Sequence, residues 1–147
     1  MPKTIHLASD HAGFDLKSLL GEHLAKQGHS IRDHGTADAQ SCDYPVYAQA
    51  LCRALQEGDD LGILICGSGI GMSMTANRFR GIRAAVCANE FLARASRRHN
   101  NANVLCLGAR VIGADLALAV TDAFLQSEFE GGRHQRRIAM FDGSPDE

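Results

Sequence analysis

The chain has 147 residues, 45% of them hydrophobic and 22% charged, with a formal net charge of −2. A chain of this size folds as one domain whose core needs no staples, and its near-balanced charge argues against partners recognised through a strong field, such as nucleic acid or an anionic membrane. No stretch reaches the roughly 20 apolar residues of a membrane span, and five cysteines, odd in number and without a CxxC pair, exclude a disulfide framework.

Residues 5–8 read as a short buried strand. Over residues 12–27, Leu16, Leu19, Leu20 and Leu24 form a helical stripe that Gly28 closes. Ser30–Asp33 reads as a second strand. Pro45 in "DYPVYAQALCRAL" suits a first helical turn. Tyr47, Ala50, Leu51, Ala54 and Leu55 continue that helix to Gly58. Leu61–Cys66 is the clearest strand in the chain. A helix over residues 71–79, a strand over 82–87, a helix over 90–98 and a strand over 104–107 follow. After Gly113, the last long helix places Leu116, Ala119, Val120, Ala123 and Phe124 on one face. The remaining tail, "EGGRHQRRIAMFDGSPDE", is too polar and too short for a second domain. Strand–helix alternation of this kind predicts a three-layer α/β fold, with a parallel sheet covered on both faces.

Ligands bind at the carboxyl ends of the strands in such sheets. The segments there are "SDHAG", "HGT", "CGSGIG", "CANE" and "GAR". Gly67, Gly69 and Gly71 let backbone N–H groups approach a ligand where a helix begins, an arrangement that holds phosphate or a developing oxyanion. The same glycines also suit simple tight packing. Their G-x-G-x-G spacing is neither the dinucleotide fingerprint nor a Walker loop. Cys66 ends its strand as a small hydrophobe does, yet it alone sits at a helix N-terminus, where a thiolate is stabilised. A cysteine phosphatase requires an arginine at position 72, and Met72 stands there.

Asp10 and His11 lie at the first strand's end, where Asp10 equally suits a helix cap. His99 and Asn100 end a helix, where a histidine often compensates the dipole. Arg133 and Arg137 are spaced i,i+4 and point one way on a helix. That arrangement grips a phosphate if the tail is not simply a solvated basic run. Arg110, after the last strand, is a third candidate. The seven histidines show no metal-ligand spacing, so no metal is expected. "MPKTIHLASDH" has no long apolar h-region, so no secretory leader is expected. The cysteine usage fits a reducing cytoplasm.

The segments "SDHAGF", "DYP", "GILICGSGIGMSMTANRFRGIRAAVC", "RRHNNANVLCLGARVIG" and "EGGRHQRR" together resemble the ribose-5-phosphate isomerase B family, which includes galactose-6-phosphate and allose-6-phosphate isomerases. They stand in the family's order and span nearly the whole chain. The resemblance implies a Rossmann- or flavodoxin-like homodimer with interfacial active sites. It implies no metal or nucleotide cofactor and a sugar-phosphate substrate. It implies Cys66 as the base between C1 and C2, Asp10 and His99 as ring-opening groups, and Ser68 as a proton relay between O1 and O2. The segment Gly67, Gly69, Ile70 and Gly71 corresponds to the hole for the enediolate. His11, Tyr44, Asn100, Arg110, Arg133 and Arg137 correspond to substrate or phosphate ligands, some donated by the partner, with residues 130–147 contributing to the dimer interface. There are departures: Ser9 stands where cysteine is common, and Ser68 where many members have threonine. "GIGMSMTAN" lacks the glutamate that some members use as base, which strengthens Cys66. Allose, galactose and tetrulose phosphates are alternative substrates. A non-catalytic sugar-phosphate-binding subunit is a further alternative, against which the presence of both Cys66 and His99 counts.

Overall fold

The strand β3 (Leu61–Cys66) is buried along its whole length, as a central strand covered on both faces must be. In the computed structural model, which describes residues 1–56 and 58–143, it pairs in parallel with β1 (Thr4–Ser9) on one side and β5 (Val104–Gly108) on the other. The outer strands are β2 (Ser30–Asp33), beside β1, and β4 (Ala84–Val86), beside β5. The order is therefore β2-β1-β3-β5-β4. The expected three-layer parallel α/β architecture is present. Its last two strands are exchanged relative to the flavodoxin order 2-1-3-4-5.

Right-handed crossovers turn that order into two helical layers. The steps β1→β2 and β4→β5 run toward one edge of the sheet. Their helices α1 (Phe14–Lys26) and α4 (Glu90–Asn100) share a face with α5 (Ala114–Gln126). The steps β2→β3 and β3→β4 run the other way, so α2 (Tyr44–Leu55) and α3 (Ile70–Ala76) cover the opposite face. Strand alternation supplies both cores. Ile5, Leu7, Ile63, Ile65, Leu105 and Leu107 point into the first, while Ala8, Leu64, Cys66, Val104 and Cys106 point into the second. No helix of the described residues is long and apolar enough to cross a membrane.

Several boundaries and phases differ from expectation. The fourth strand keeps only three residues of the expected six. It is an outer strand, partly exposed, and Ile82 is buried just before it rather than within it. The third helix runs 70–76, closing at Asn77 instead of reaching 79, and the fourth extends to Asn100. The second ends at Leu55, with Gln56 as its cap, before Gly58. Its buried stripe is Ala48, Leu51, Cys52 and Leu55 rather than one through Ala50 and Ala54. Leu19, 37% exposed, leaves the α1 stripe, whose buried residues are Leu16, Lys17, Leu20 and Leu24. The Lys17 ammonium is buried and donates to Asp33 Oδ1 at 2.7 Å and to the Thr36 carbonyl at 2.6 Å. The α5 stripe is Ala117, Val120, Thr121, Phe124 and Leu125, so Leu116 lies outside it. The tail contains a helix, α6 (Arg133–Asp142), anchored by buried Ile138 and by an Arg83–Asp142 ion pair at 3.0 Å. Of the segment 130–147, residues 144–147 lie outside the described residues.

Candidate active site

Strand order reverses between β1 and β3, and that crevice is where open α/β sheets bind ligands. Asp10 leaves β1 there. Its backbone N–H donates to the Ile65 carbonyl at 3.2 Å, which ties the two strand ends together. Asp10 Oδ1 accepts from the N–H groups of Ala12 and Gly13 at 3.0 and 3.2 Å. The capping reading is therefore correct, and both of these bonds use one carboxylate oxygen. Gly13 is required beside it, because a Cβ at that position would meet Ile65 at 2.7 Å. His11 follows, half-buried, with Nδ1 accepting the Cys42 N–H at 3.2 Å. That bond makes Nδ1 the acceptor and Nε2 the protonated nitrogen of the neutral ring.

Cys66 ends β3 and is only 4% exposed. Its sulfur accepts the Gly69 N–H at 3.2 Å. No other cysteine sulfur among the described residues receives a backbone N–H. Burial pushes the Cys52 thiol up to about 12 and raises Cys87 and Cys106 as well, so those three remain neutral packing groups. Gly69 has φ +81°, and a Cβ there would meet the Leu107 carbonyl carbon at 3.0 Å. The loop thus lies directly on the end of β5, in a conformation that favours glycine. Ser68 is exposed, and its hydroxyl accepts the Ile70 N–H at 3.2 Å as α3 begins. The remaining N–H groups of that first turn have no intrahelical acceptor.

Two further expected residues close on this loop. The Arg110 N–H donates to the Gly67 carbonyl at 3.0 Å, and its guanidinium lies over Gly67, where Nη1 would be 3.3 Å from an added Cβ. Tyr44 opens α2 with its ring against Gly71, close enough that a Cβ there would meet the hydroxyl at 2.9 Å. Asp10, His11, Tyr44, Cys66, Ser68, the glycine loop and Arg110 therefore share the carboxyl edge of the sheet.

His99, Asn100, Arg133 and Arg137 do not join them. A helix that follows a parallel strand runs back along it. The last turn of α4 therefore lies at the opposite edge, about 15–20 Å from Cys66 by strand and helix rise. Here α6 begins beside α4. The Glu130 N–H donates to the Arg98 carbonyl at 3.0 Å, and the His99 and His134 rings stack 4.6 Å apart and 17° from parallel. Arg133 and Arg137 are exposed on one side of α6 and make no ion pair among the described residues. The sequence reading did not single out Glu130, and it gave His134 no role. The i,i+4 spacing of these two residues was the available signal. A cavity of about 580 Å³ also lies toward this second edge and includes Asn100, Phe79 and Phe141 in its lining.

One chain thus carries two partial sets of polar groups at opposite ends. Comparison with known proteins gives them a common context. The family model described as Ribose/Galactose Isomerase matches residues 5–141. The chain belongs to this isomerase family. It is 47% identical over 137 residues to the ribose-5-phosphate isomerase B of Escherichia coli (strain K12), covering 92% of each chain. A solved ribose 5-phosphate isomerase from Thermotoga maritima superposes with a TM-score of 0.92 at 49% identity, over 95% of this chain and 97% of that one. The ribose-5-phosphate isomerase B of Mycoplasma genitalium, solved with bound ribulose-5-phosphate, superposes with a TM-score of 0.91 at 41% identity, over 95% and 94%. The family's matched span includes both partial sets, from Asp10 to Arg137.

Proposed function

We propose that this isomerase interconverts ribose 5-phosphate and ribulose 5-phosphate without a metal, through an enediolate, in the cytoplasm. The observation that carries the reading is Cys66: a thiol at a strand end, facing a glycine loop that donates an N–H to its sulfur, in a chain 47% identical to a ribose-5-phosphate isomerase B. Ring opening breaks the C1–O4 bond, with Asp10 and His99 supplying the base for the O1 proton and the acid for O4. The Cys66 thiolate then takes the C2 proton, and charge develops on O1. N–H groups of the loop through Gly67, Gly69, Ile70 and Gly71 stabilise that charge, at about 3–4 kcal/mol per well-placed donor. Ser68 passes a proton between O1 and O2, and Cys66 returns its proton to C1. His11, Arg110, Arg133 and Arg137 bind the phosphate end, while Tyr44 and Asn100 line the sugar.

The separation of the two sets of groups supports a homodimer in which each active site combines the carboxyl edge of one chain with the α4–α6 end of its partner. Exposed apolar side chains support the same arrangement. Ile70 and Met74, the latter 68% exposed, lie along α3, and Met140, 84% exposed, and Phe141 lie on α6. Such surface is characteristic of an interface. Residues 130–143 of the C-terminal segment thereby contribute to the proposed dimer.

Incubation in EDTA with ribose 5-phosphate, followed by NMR, is expected to give ribulose 5-phosphate. Allose 6-phosphate, galactose 6-phosphate and a tetrulose phosphate are the comparison substrates. Preferential turnover of one of these would replace the pentose reading. Tight binding with no conversion of any would replace catalysis with a binding subunit. Arg137→Ala is expected to raise KM by about ten- to a hundredfold with kcat within about threefold, because a remote phosphate contact is uniform binding energy. A loss confined to kcat would remove Arg137 from the phosphate site.

A further inference from the structure

The end of α4 holds a group of side chains to which the reaction above gives only one role. Glu130 sits between the last turn of α4 and the first turn of α6. Its Oε2 accepts from Arg98 Nε at 2.6 Å. Its Oε1 lies 3.8 Å from His99 Nε2 and 3.6 Å from His134 Nε2. The carboxylate is thus clamped on one oxygen and faces both stacked imidazoles with the other. These three donor groups lie within 4.8 Å of one another, as metal ligands do. The rings, however, are only 17° from parallel. An imidazole lone pair lies in its ring plane, so one ion cannot be in line with both. The trio is arranged for a proton instead.

We propose that Glu130 is a positioning residue for His99: held by Arg98, its carboxylate faces the Nε2 edge of the His99–His134 stack and orients His99 to deliver a proton to the sugar ring oxygen. The inference rests on the proposed isomerase reading and deepens it. Two positive charges on rings stacked 4.6 Å apart repel each other, so a first proton on the pair disfavours a second. Withdrawal from water lowers the His134 pKa, and the charges of His99, Arg133 and Arg137 lower it further, while Glu130 raises it. These charges make His134 the poorer proton carrier of the two stacked rings. The Arg98 guanidinium also faces the carboxylate and holds it ionised. In ring opening, His99 Nε2 gives its proton to O4 as the C1–O4 bond breaks, and the O1 hydroxyl proton passes to Asp10. No oxidant or further co-reactant is needed.

The test is Glu130→Gln, which preserves shape and removes the charge. Histidine ring resonances are followed by NMR from pH 5 to 9, with His99→Gln and His134→Gln providing assignment. In the native chain the pair is expected to take up its first proton well before its second. In Glu130→Gln the first step should move to lower pH by about half a unit or more, since an opposite charge within about 4 Å favours the protonated form. The alkaline limb of kcat for ribose 5-phosphate should move in the same direction, with KM within about twofold. An unmoved His99 titration overturns the proposal, and so does a uniform loss of kcat with no change in its pH profile, which a purely structural role would give. If the native protein does not isomerise ribose 5-phosphate, the functional reading falls, while the NMR titration still judges the proton-holding pair by itself.

Discussion

Cys66→Ala is expected to lower kcat by about 10²–10⁴-fold, the range spanned by a positioned general base, while sugar-phosphate affinity stays within about threefold. The position explains why the two effects separate. Cys66 lies at the junction of strand and loop, with its sulfur in the N–H field of Gly69. The phosphate-binding candidates are guanidiniums at Arg110, Arg133 and Arg137, none of which hydrogen-bonds that sulfur among the described residues. The truncation removes one buried atom at a site only 4% exposed, so the stability cost is about 1 kcal/mol and the fold survives. Washout of the C2 proton into deuterated water reads the proton-transfer step, and calorimetry reads binding. Cys52→Ala is the matched control, because burial keeps that thiol neutral, at about 12, and washout there should be unchanged. Retained washout in Cys66→Ala, or loss of all binding with the fold intact, would remove Cys66 from the role of base.

The residues that were readable in advance share a physical property: their neighbours in sequence determine their surroundings. Leu61–Cys66 is a near-continuous apolar run, which a central parallel strand needs, and it ends in glycines whose close approach to β5 and Tyr44 demands them. Asp10 caps the turn that immediately follows it. Placement of both at the carboxyl edge then follows from strand–helix alternation. Helix phase was less readable. In α2, an alanine-rich stripe offers two adjacent faces of similar hydropathy, and Ala48 with Cys52 is chosen over Ala50 with Ala54 by packing against the sheet. The helix α6 was hidden because its sequence, "RHQRRIAMFD", has one buried residue, Ile138. Long-range contacts hold it, through Arg83 and the His99–His134 stack, and no local pattern announces those. The resemblance brought His99 and Cys66 into one list of site residues, but only the direction of α4 shows that a single chain keeps them apart.

That separation leads to a quantitative expectation for mixed dimers. Cys66→Ala and His99→Ala are each expected to be nearly inactive, because every site of the proposed homodimer would lack one group in either variant. If each site takes Cys66 from one chain and His99 from its partner, a mixed dimer concentrates both defects in one site and leaves the other intact. Random exchange of equal amounts makes half the dimers mixed, each with one working site of two, so activity should recover to about a quarter of wild type. The two inactive proteins are mixed, subunits are exchanged under mild denaturant and then returned to native buffer, and isomerisation of ribose 5-phosphate is measured. If both groups served a site within one chain, every site would still lack one of them and mixing would restore nothing. Recovery near one quarter therefore requires sharing between chains. The topology favours that result: α4 runs back along the sheet, and closing the gap within one chain would mean reversing a helix whose Ala93 is packed in the core.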